Sequence, residues 1–272
     1  MAGLLVPSLE TIRRTVAIEL AYTMKRLGVL ERMPGNPVGV GFRPLGDGAV
    51  ALRAKHLPVP SFNSIVGLRA GHEGRIDELL AWYAEAGAKP NMPMVPALFT
   101  PEIGRALARH GFEPRSFHSS LIGASVPPAP PLPPNTTIDV VSSADLMEAF
   151  LDAYVAGWEI GAALHEQFKA NVRPWRHEPG WTLYVARRNG EPAASAILYV
   201  ADRAGYLADA STAPAHRRHG LQSALLARRI ADGHAANVDF CCSGANYLSQ
   251  SERNMLRAGL QLQFVRTIWS RD

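Results

Sequence analysis

The spacing of apolar residues predicts a helix with one hydrophobic face near the middle of the chain. Large apolar side chains recur at every fourth position from about Ala144 to Gly161, as they do along one face of a helix. These side chains are Leu146, Phe150, Tyr154 and Trp158. Ser142 or Ser143 can cap the helix, because a serine hydroxyl accepts a hydrogen bond from the unpaired amides of the first turn.

Shorter apolar runs after this helix predict an alternation of strands and helices. The predicted strands cover residues 181–186, 193–200, 206–212, 238–243 and 263–270, and the predicted helices cover 220–231 and 249–257. Asn189-Gly190 joins the first two strands and is the residue pair best suited to a type I′ hairpin turn. A loop is expected over 173–180, and a turn is expected at Gly205 before the third strand.

A proline-rich stretch at residues 126–136 divides the chain of 272 residues into two lobes, 1–125 and 137–272. Proline fixes φ and favours an extended strip, so we interpret this stretch as a linker. The first lobe contains a weaker copy of the second. Glycine, leucine and alanine positions of the helix at 220–231 recur near Gly74 with one constant offset, and chance coincidence of these common residues is the alternative.

Composition and charge exclude several classes of protein. Hydrophobic residues make up 47% and charged residues 19%, which is typical of a globular protein. We expect a cytoplasmic location, because neither a signal peptide nor a membrane span is recognisable. The formal net charge of +4 comes without long basic runs, so we expect no nucleic-acid partner. The adjacent Cys241 and Cys242 are poorly placed for a disulfide.

The segment from Ala210 to Leu226 carries the most chemical information, because a strand, a basic turn and a helix follow one another. The first turn of a helix has unpaired amides and a partial positive charge, which attract an anion such as a pyrophosphate. Gly220 lets the backbone approach closely, and Arg217 and Arg218 can add charged hydrogen bonds. An ordinary solvated basic turn is the alternative. Rossmann and P-loop motifs are absent from the sequence.

This segment resembles the central motif of the GNAT N-acyltransferases. Thr212 and Pro214 match the end of the family's strand, Arg217 and Gly220 match its two anchors, and Leu225-Leu226 match its helix core, whereas Gln222 departs from the pattern. The resemblance implies an α/β fold of tandem GNAT-like lobes, each a mixed, largely antiparallel sheet flanked by helices. It also implies acetyl-CoA as cosubstrate, with no metal.

The resemblance implies a set of residues that hold coenzyme A. Ser251 and Asn254 resemble the family's helix beside the pantetheine arm, although capping of the helix explains them equally well. The residues expected to bind the cosubstrate are Ser211, Thr212, Arg217, Arg218, His219, Gly220, Leu221, Gln222, Ser223, Ser251 and Asn254. A backbone amide near Ser211 and Thr212 would polarise the thioester carbonyl.

The catalytic residues are less well defined by the sequence. Direct attack by an amine requires a group that removes its proton, and Asp209, Glu159 and His165 are the candidates. Many relatives carry a tyrosine at the position of Met255 to protonate the leaving thiolate, and Tyr247 is the candidate substitute. A structural role is the alternative for each. The two cysteines are interpreted as core residues rather than as nucleophiles.

The first lobe lacks the basic turn. Gly71, His72 and Glu73 replace the two arginines and the histidine of the second lobe, so we expect a degenerate lobe. The predicted activity is N-acetyl transfer from acetyl-CoA to an amine, and a non-catalytic acyl-CoA sensor or scaffold is the alternative. The expected partners are a small-molecule or peptide amine, without nucleic acid or membrane, and a homodimer remains an open option.

Overall fold

A computed structural model describes residues 7–57, 59–125 and 129–272 of the chain. Two compact units are present, and both are assembled from separate segments. Residues 7–120, 244–249 and 262–272 form the N-terminal unit, and residues 121–243 and 250–261 form the C-terminal unit. The boundaries 1–125, 126–136 and 137–272 remain predictions, and residues 126–128 of the linker lie outside the described residues.

The N-terminal unit begins with a long helix and a small antiparallel sheet. Its elements are α1 (Leu9–Glu31), β1 (Val40–Gly46), β2 (Ala49–Ala54), β3 (Ser64–Val66), α2 (Ile76–Ala84), β4 (Met92–Met94), α3 (Pro101–Arg109) and β5 (Glu113–Gly123). Ser8 caps α1 and Thr100 caps α3 through their side-chain oxygens. The β1, β2 and β3 strands pair in sequence order.

The C-terminal unit is built around one mixed sheet. Its elements are β6 (Thr136–Val140), α4 (Ala144–Gly157), α5 (His165–Val172), β7 (Trp181–Arg188), β8 (Glu191–Ala201), β9 (Ala204–Thr212), α6 (Leu221–Ala235), β10 (Phe240–Asn246) and α7 (Gln250–Arg257). Strands β6, β7, β8 and β9 pair antiparallel in sequence order, and β10 pairs parallel with β9. This arrangement confirms the predicted α/β class with a mixed, largely antiparallel sheet.

Local sequence signals account for the hairpins of this sheet. Asn189 and Gly190 both have positive φ, 53° and 84°, so the predicted type I′ turn is confirmed. The turn expected at Gly205 is wrong, because Asp202 and Arg203 form it with φ values of 47° and 57°. Gly205 lies inside β9 instead, where a Cβ would meet the Cys241 Sγ at 3.1 Å.

Helix α4 ends at Gly157, before the predicted end near Gly161. The spacing of apolar residues does not reveal this end, because the helix is terminated by backbone hydrogen bonds. The Glu159 amide bonds the Ala156 carbonyl and the Ile160 amide bonds the Val155 carbonyl, which is how a Schellman motif ends a helix. Glu159 takes the left-handed conformation with φ 53°, where glycine is the usual residue. Strand β6 and helix α5 were not predicted, and the expected loop at 173–180 contains a 3-10 turn, Arg173–His177.

The last strand, β11 (Gln261–Ser270), supplies side chains to the N-terminal unit. It pairs antiparallel with β4, so that Thr267 lies opposite Met94. Phe264 packs in an apolar cluster with Val16 of α1. Arg266 donates to the Glu19 carboxylate at 2.5 Å, and the two side chains are only 9% and 12% exposed. Within the described residues, no helix is both long and apolar enough to cross a membrane.

Candidate functional site

The N-terminus of α6 offers backbone amides that no side chain caps. Gly220 is the N-cap residue and adopts the left-handed conformation, φ 78° and ψ 0°, which only glycine takes readily. Its hydrogen-bonding partner inside the helix is the Ala224 amide, 3.0 Å from the Gly220 carbonyl. The amides of the first turn have no partner within an α-helix, so this helix start is suited to bind an anion.

Arg217 lies beside this helix start, and its guanidinium already makes hydrogen bonds within the protein. Its Nε donates to the Thr212 carbonyl at 3.2 Å, and its Nη2 donates to the Glu159 carboxylate. Both side chains are largely exposed, so the ion pair is screened by solvent and can exchange partners. The pair links the end of α4 to the turn before α6.

The remaining predicted residues of this turn lie at the surface. Arg218 has φ 65°, which makes a second left-handed residue in the turn. Arg218, His219 and Ser223 are exposed, Gln222 is half-buried, and Leu221 is buried in the apolar core. A Cβ added to Gly220 would lie 3.3 Å from the Pro133 Cγ, so little space separates this glycine from the proline-rich segment.

Strand β9 carries a bulge directly before this turn. Ser195 pairs with Ser211 and Ile197 pairs with Ala208, which leaves the single β8 residue between them opposite Asp209 and Ala210. Asp209 has φ 42°, a conformation that costs free energy in an L-residue and that Asp tolerates better than most. The half-buried Asp209 therefore sits on a distorted strand at the edge of the helix-start site.

The edge of β9 that faces away from β8 opens beyond the bulge. The parallel ladder with β10 ends where Tyr206 pairs with Cys242, and the next carbonyl, of Leu207, accepts the Ser243 hydroxyl at 2.7 Å. Ala213 donates to the Ala193 carbonyl on β8. Because amides alternate between the two edges of a strand, the Thr212 amide points to the opposite edge, which is called open here because the ladder with β10 does not reach it.

The Ser211 hydroxyl is engaged inside the C-terminal unit. Its Oγ lies 3.1 Å from the Ser195 Oγ, and the side chain is buried. A Cβ on Gly157 of α4 would come within 2.3 Å of the same oxygen. Glycine at position 157 thus allows the end of α4 to pack against the end of β9.

The second predicted group of cosubstrate residues lies on α7. Ser251 is exposed, and the Asn254 Oδ1 accepts from Gln250 at 2.8 Å and from Arg257 at 2.9 Å. Met255, at the position of the expected tyrosine, is buried. Tyr247 is 47% exposed and belongs to the N-terminal unit, whereas the other predicted site residues belong to the C-terminal unit.

The two cysteines are packed inside the C-terminal unit. Both are fully buried, and burial raises the pKa of Cys241 to about 12. Its sulfur occupies space left by Gly205 and Gly233, where added Cβ atoms would stand 3.1 Å and 2.8 Å away. Helix α6 continues through Gly233 to Ala235, beyond the predicted end at residue 231. A protonated, enclosed thiol is a core group, as expected from the sequence.

The corresponding turn in the N-terminal unit is occupied by its own side chains. The Glu73 carboxylate accepts the Gly71 amide at 2.8 Å, and the His72 Nδ1 lies 3.4 Å from the Arg69 amide. Asp77 and Glu78 add negative charge to the first turn of α2. An anion would therefore meet carboxylates where the C-terminal unit presents arginines.

Two side chains near the site, His216 and Arg229, were not predicted from the sequence to have a role. His216 is mostly buried in the turn, with its Nε2 3.7 Å from the Glu191 carboxylate. Arg229 is 1% exposed, although arginine is usually a surface residue. The sequence contains one indication that Arg229 is buried. It lies four residues after Leu225, and this spacing places both residues on the same buried face of α6. Among the described residues, no group of His, Cys, Asp or Glu side chains could hold a metal ion.

Comparisons with known proteins identify the fold. The family model of the acetyltransferase (GNAT) domain matches residues 134–248. A GCN5-related N-acetyltransferase from Kribbella flavida is 19% identical, with a TM-score of 0.63 over 92% of this chain and 94% of that chain. A tandem GNAT protein from the clavulanic acid biosynthesis pathway is 12% identical, with a TM-score of 0.62 over 97% of both chains.

A GCN5-related N-acetyltransferase from Sphaerobacter thermophilus is 16% identical, with a TM-score of 0.62 over 84% of this chain and 82% of that chain. No curated protein matches the sequence. The chain therefore has the fold of the GNAT superfamily. The match to a tandem GNAT protein over nearly the whole chain agrees with the predicted fold class of tandem GNAT-like lobes.

Proposed function

We propose that this protein is an N-acetyltransferase that passes an acetyl group from acetyl-CoA to an amine by direct attack. The observation that carries the proposal is the uncapped start of α6, with left-handed Gly220 at its N-cap and Arg217 and Arg218 beside it. This combination of open amides, partial positive charge and guanidinium groups suits a pyrophosphate.

The residues of the C-terminal unit fit an acyl-CoA. The amides of residues 218–223 would receive the pyrophosphate, with Arg217 released from Glu159 and Arg218 at the rim. The open edge of β9 at Thr212 and the α7 residues Ser251 and Asn254 would flank the pantetheine arm. A bound acyl-CoA supplies the thioester whose carbonyl carbon is attacked.

The chain's own groups would handle the proton and the carbonyl. The Thr212 amide at the open edge of β9 is the donor that we assign to the thioester oxygen. Asp209 on the neighbouring bulge is the group that we assign to remove the proton of the attacking ammonium. The Glu159 carboxylate accepts from Arg217, so in that role it would first have to be released. Tyr247 stays a candidate for protonation of the thiolate.

The proposed acceptor is a small-molecule or peptide amine, and the proposed location is the cytoplasm. The N-terminal unit is proposed to have lost cosubstrate binding, because Glu73 satisfies the Gly71 amide in its turn. Neither nucleic acid nor membrane is proposed as a partner. A homodimer is compatible with these assignments, and sedimentation of the full chain tests it.

Calorimetric titration with acetyl-CoA tests the site. We expect binding by the wild type and a loss of affinity of at least tenfold in the variant Arg217→Gln/Arg218→Gln, because two charge-assisted contacts are removed. The matched control is Arg187→Gln/Arg188→Gln on β7, which removes the same charge from another strand end of this unit. Equal binding by the wild type and the Arg217/Arg218 variant would count against the proposed site.

Turnover is measured separately by the release of free thiol from acetyl-CoA across a panel of amines. Thiol release above the hydrolysis background with at least one amine supports the transferase. Tight binding without turnover by any amine would instead support the sensor or scaffold.

A further inference from the structure

The bulge in β9 decides which backbone amide reaches the open edge of the strand. Leu207 presents its carbonyl to Ser243, away from β8, whereas Ala213 donates its amide to Ala193 on β8. Positions six residues apart in a regular strand face the same edge. The extra residue at Asp209-Ala210 reverses this alternation, and as a result Thr212 rather than Ser211 presents its amide to the open side.

One buried side chain holds the strand pair at this point. The Arg229 Nη1 donates to the Ile197 carbonyl of β8 and to the Ala208 carbonyl of β9, each at 3.1 Å. Ile197 and Ala208 form the last register pair before the bulge. The Arg229 Nε donates to the Leu225 carbonyl of its own helix, also at 3.1 Å, which anchors the guanidinium on α6.

Burial of the Arg229 guanidinium costs free energy, because its charge is removed from water. Arg229 is among the largest fully buried side chains of the described residues. A leucine or methionine at the same position of α6 would fill the space without removing a charge from water. The planar guanidinium of Arg229 has fixed donor directions, so its hydrogen bonds hold α6 at a set distance from the two strand carbonyls. An apolar side chain would make no such bonds.

We propose that Arg229 is a positioning residue, which holds the β9 bulge against α6 and thereby places the Thr212 amide for polarisation of the acyl carbonyl. The proposal rests on the proposed function for the role of that amide. The clamp itself, from Arg229 to the carbonyls of Ile197 and Ala208, is independent of any reaction.

The enzymatic test compares Arg229→Met with Arg228→Met. Arg228 is the neighbouring arginine on α6, but it is partly exposed and pairs with Asp232 at 2.9 Å, which makes it a matched control. We expect kcat of Arg229→Met to fall about 10²- to 10³-fold, as for removal of one oxyanion donor. Its Kd for coenzyme A should change less than about threefold, because the anion site at Gly220 is retained, and Arg228→Met should keep kcat within about threefold.

Hydrogen exchange without ligand tests the clamp separately from catalysis. In Arg229→Met the amides of residues 207–212 should exchange at least tenfold faster, while those of 182–186 on β7 keep wild-type rates. If the wild type shows no turnover, the proposed function fails. The exchange rates alone still show whether Arg229 holds the β9 bulge in place. Wild-type exchange at 207–212 in a folded Arg229→Met protein would overturn the proposed clamp.

A second variant covers the case in which Arg229→Met does not fold. Arg229→Lys keeps the charge but loses the planar fork, so we expect kcat between those of the wild type and the Met variant. Circular dichroism confirms that the variant is folded. A folded Arg229→Lys protein with wild-type kcat and wild-type exchange at 207–212 would also overturn the proposal.

Discussion

Asp209, the proposed general base, occupies a backbone conformation with φ 42° that few residues tolerate. Replacement by asparagine keeps the shape and the tolerance for positive φ but removes the carboxylate. We expect Asp209→Asn to fold normally and to lose about 10²- to 10⁴-fold in kcat, the usual contribution of a general base. Steady-state kinetics with the best amine of the panel measures this loss of kcat.

Circular dichroism and the Kd for coenzyme A serve as controls for Asp209→Asn. Both should match the wild type, because the bulge is preserved. Retention of full kcat across the pH range would remove Asp209 from the mechanism and leave a water relay or His165 as the candidate.

We expect the buried thiol of Cys241 to make the stability of the fold depend on pH in the alkaline range. Burial raises the pKa of its thiol from 9.0 to about 12. Between these values the unfolded chain loses the thiol proton and the folded protein keeps it, so the unfolded state gains stability as pH rises. We expect this thiol to lower the free energy of unfolding by about 1.4 kcal/mol per pH unit in that window.

Urea denaturation at pH 9, 10 and 11 measures this slope. Cys241→Ala should be less stable at pH 9 because it leaves a small cavity, yet its free energy of unfolding should fall less steeply with pH. Parallel slopes for the two proteins would mean that the thiol does not titrate in this way.

At the scale of the element, the end of α4 combines a strained residue with an ion pair. Glu159 has φ 53° at the position after the helix where glycine is favoured, and its carboxylate holds Arg217. Glu159→Gly should stabilise the fold by about 1 kcal/mol, because glycine has no Cβ in the left-handed region. It should also tighten binding of acetyl-CoA, because Arg217 loses its competing carboxylate.

Two measurements separate the backbone effect from the charge effect at position 159. Glu159→Gln removes the charge but keeps the strained backbone, so it should tighten acetyl-CoA binding in calorimetry without raising the melting temperature. If Glu159→Gln binds acetyl-CoA no more tightly than the wild type, Glu159 does not compete for Arg217.

Elements whose signals are local could be predicted from the sequence. The Asn189-Gly190 hairpin, the Ser143 cap of α4 and the helix start at Gly220 depend on residues close together in the chain. The exchange of segments between units, the bulge at Asp209 and the burial of Arg229 could not be derived, because each depends on contacts between distant segments. The pairing of Arg217 with Glu159 is of the same kind.

At the scale of the whole molecule, the N-terminal unit contains an ion pair between Glu19 of α1 and Arg266 of β11. Replacement of Arg266 by methionine leaves the Glu19 carboxylate buried without this partner. We expect Arg266→Met to lower the free energy of unfolding by roughly 3–5 kcal/mol. The double variant Arg266→Met/Glu19→Leu should recover most of that loss, because no charge stays behind.

Chemical denaturation of the full chain compares the three proteins. Equal stability of the single and double variants would show that the buried carboxylate is not the source of the loss. Retention of wild-type stability by Arg266→Met would contradict the prediction outright.

The late position of β11 in the chain also governs the order of events during synthesis. Domains generally fold in the order in which the ribosome makes them, the N-terminal one first. Here Phe264, Arg266 and Trp269 contribute to the core of the unit that starts with α1. That unit cannot become complete before translation has passed these residues, so its nascent helices stay exposed to chaperones and proteases until the strands and helices of the C-terminal unit have been made.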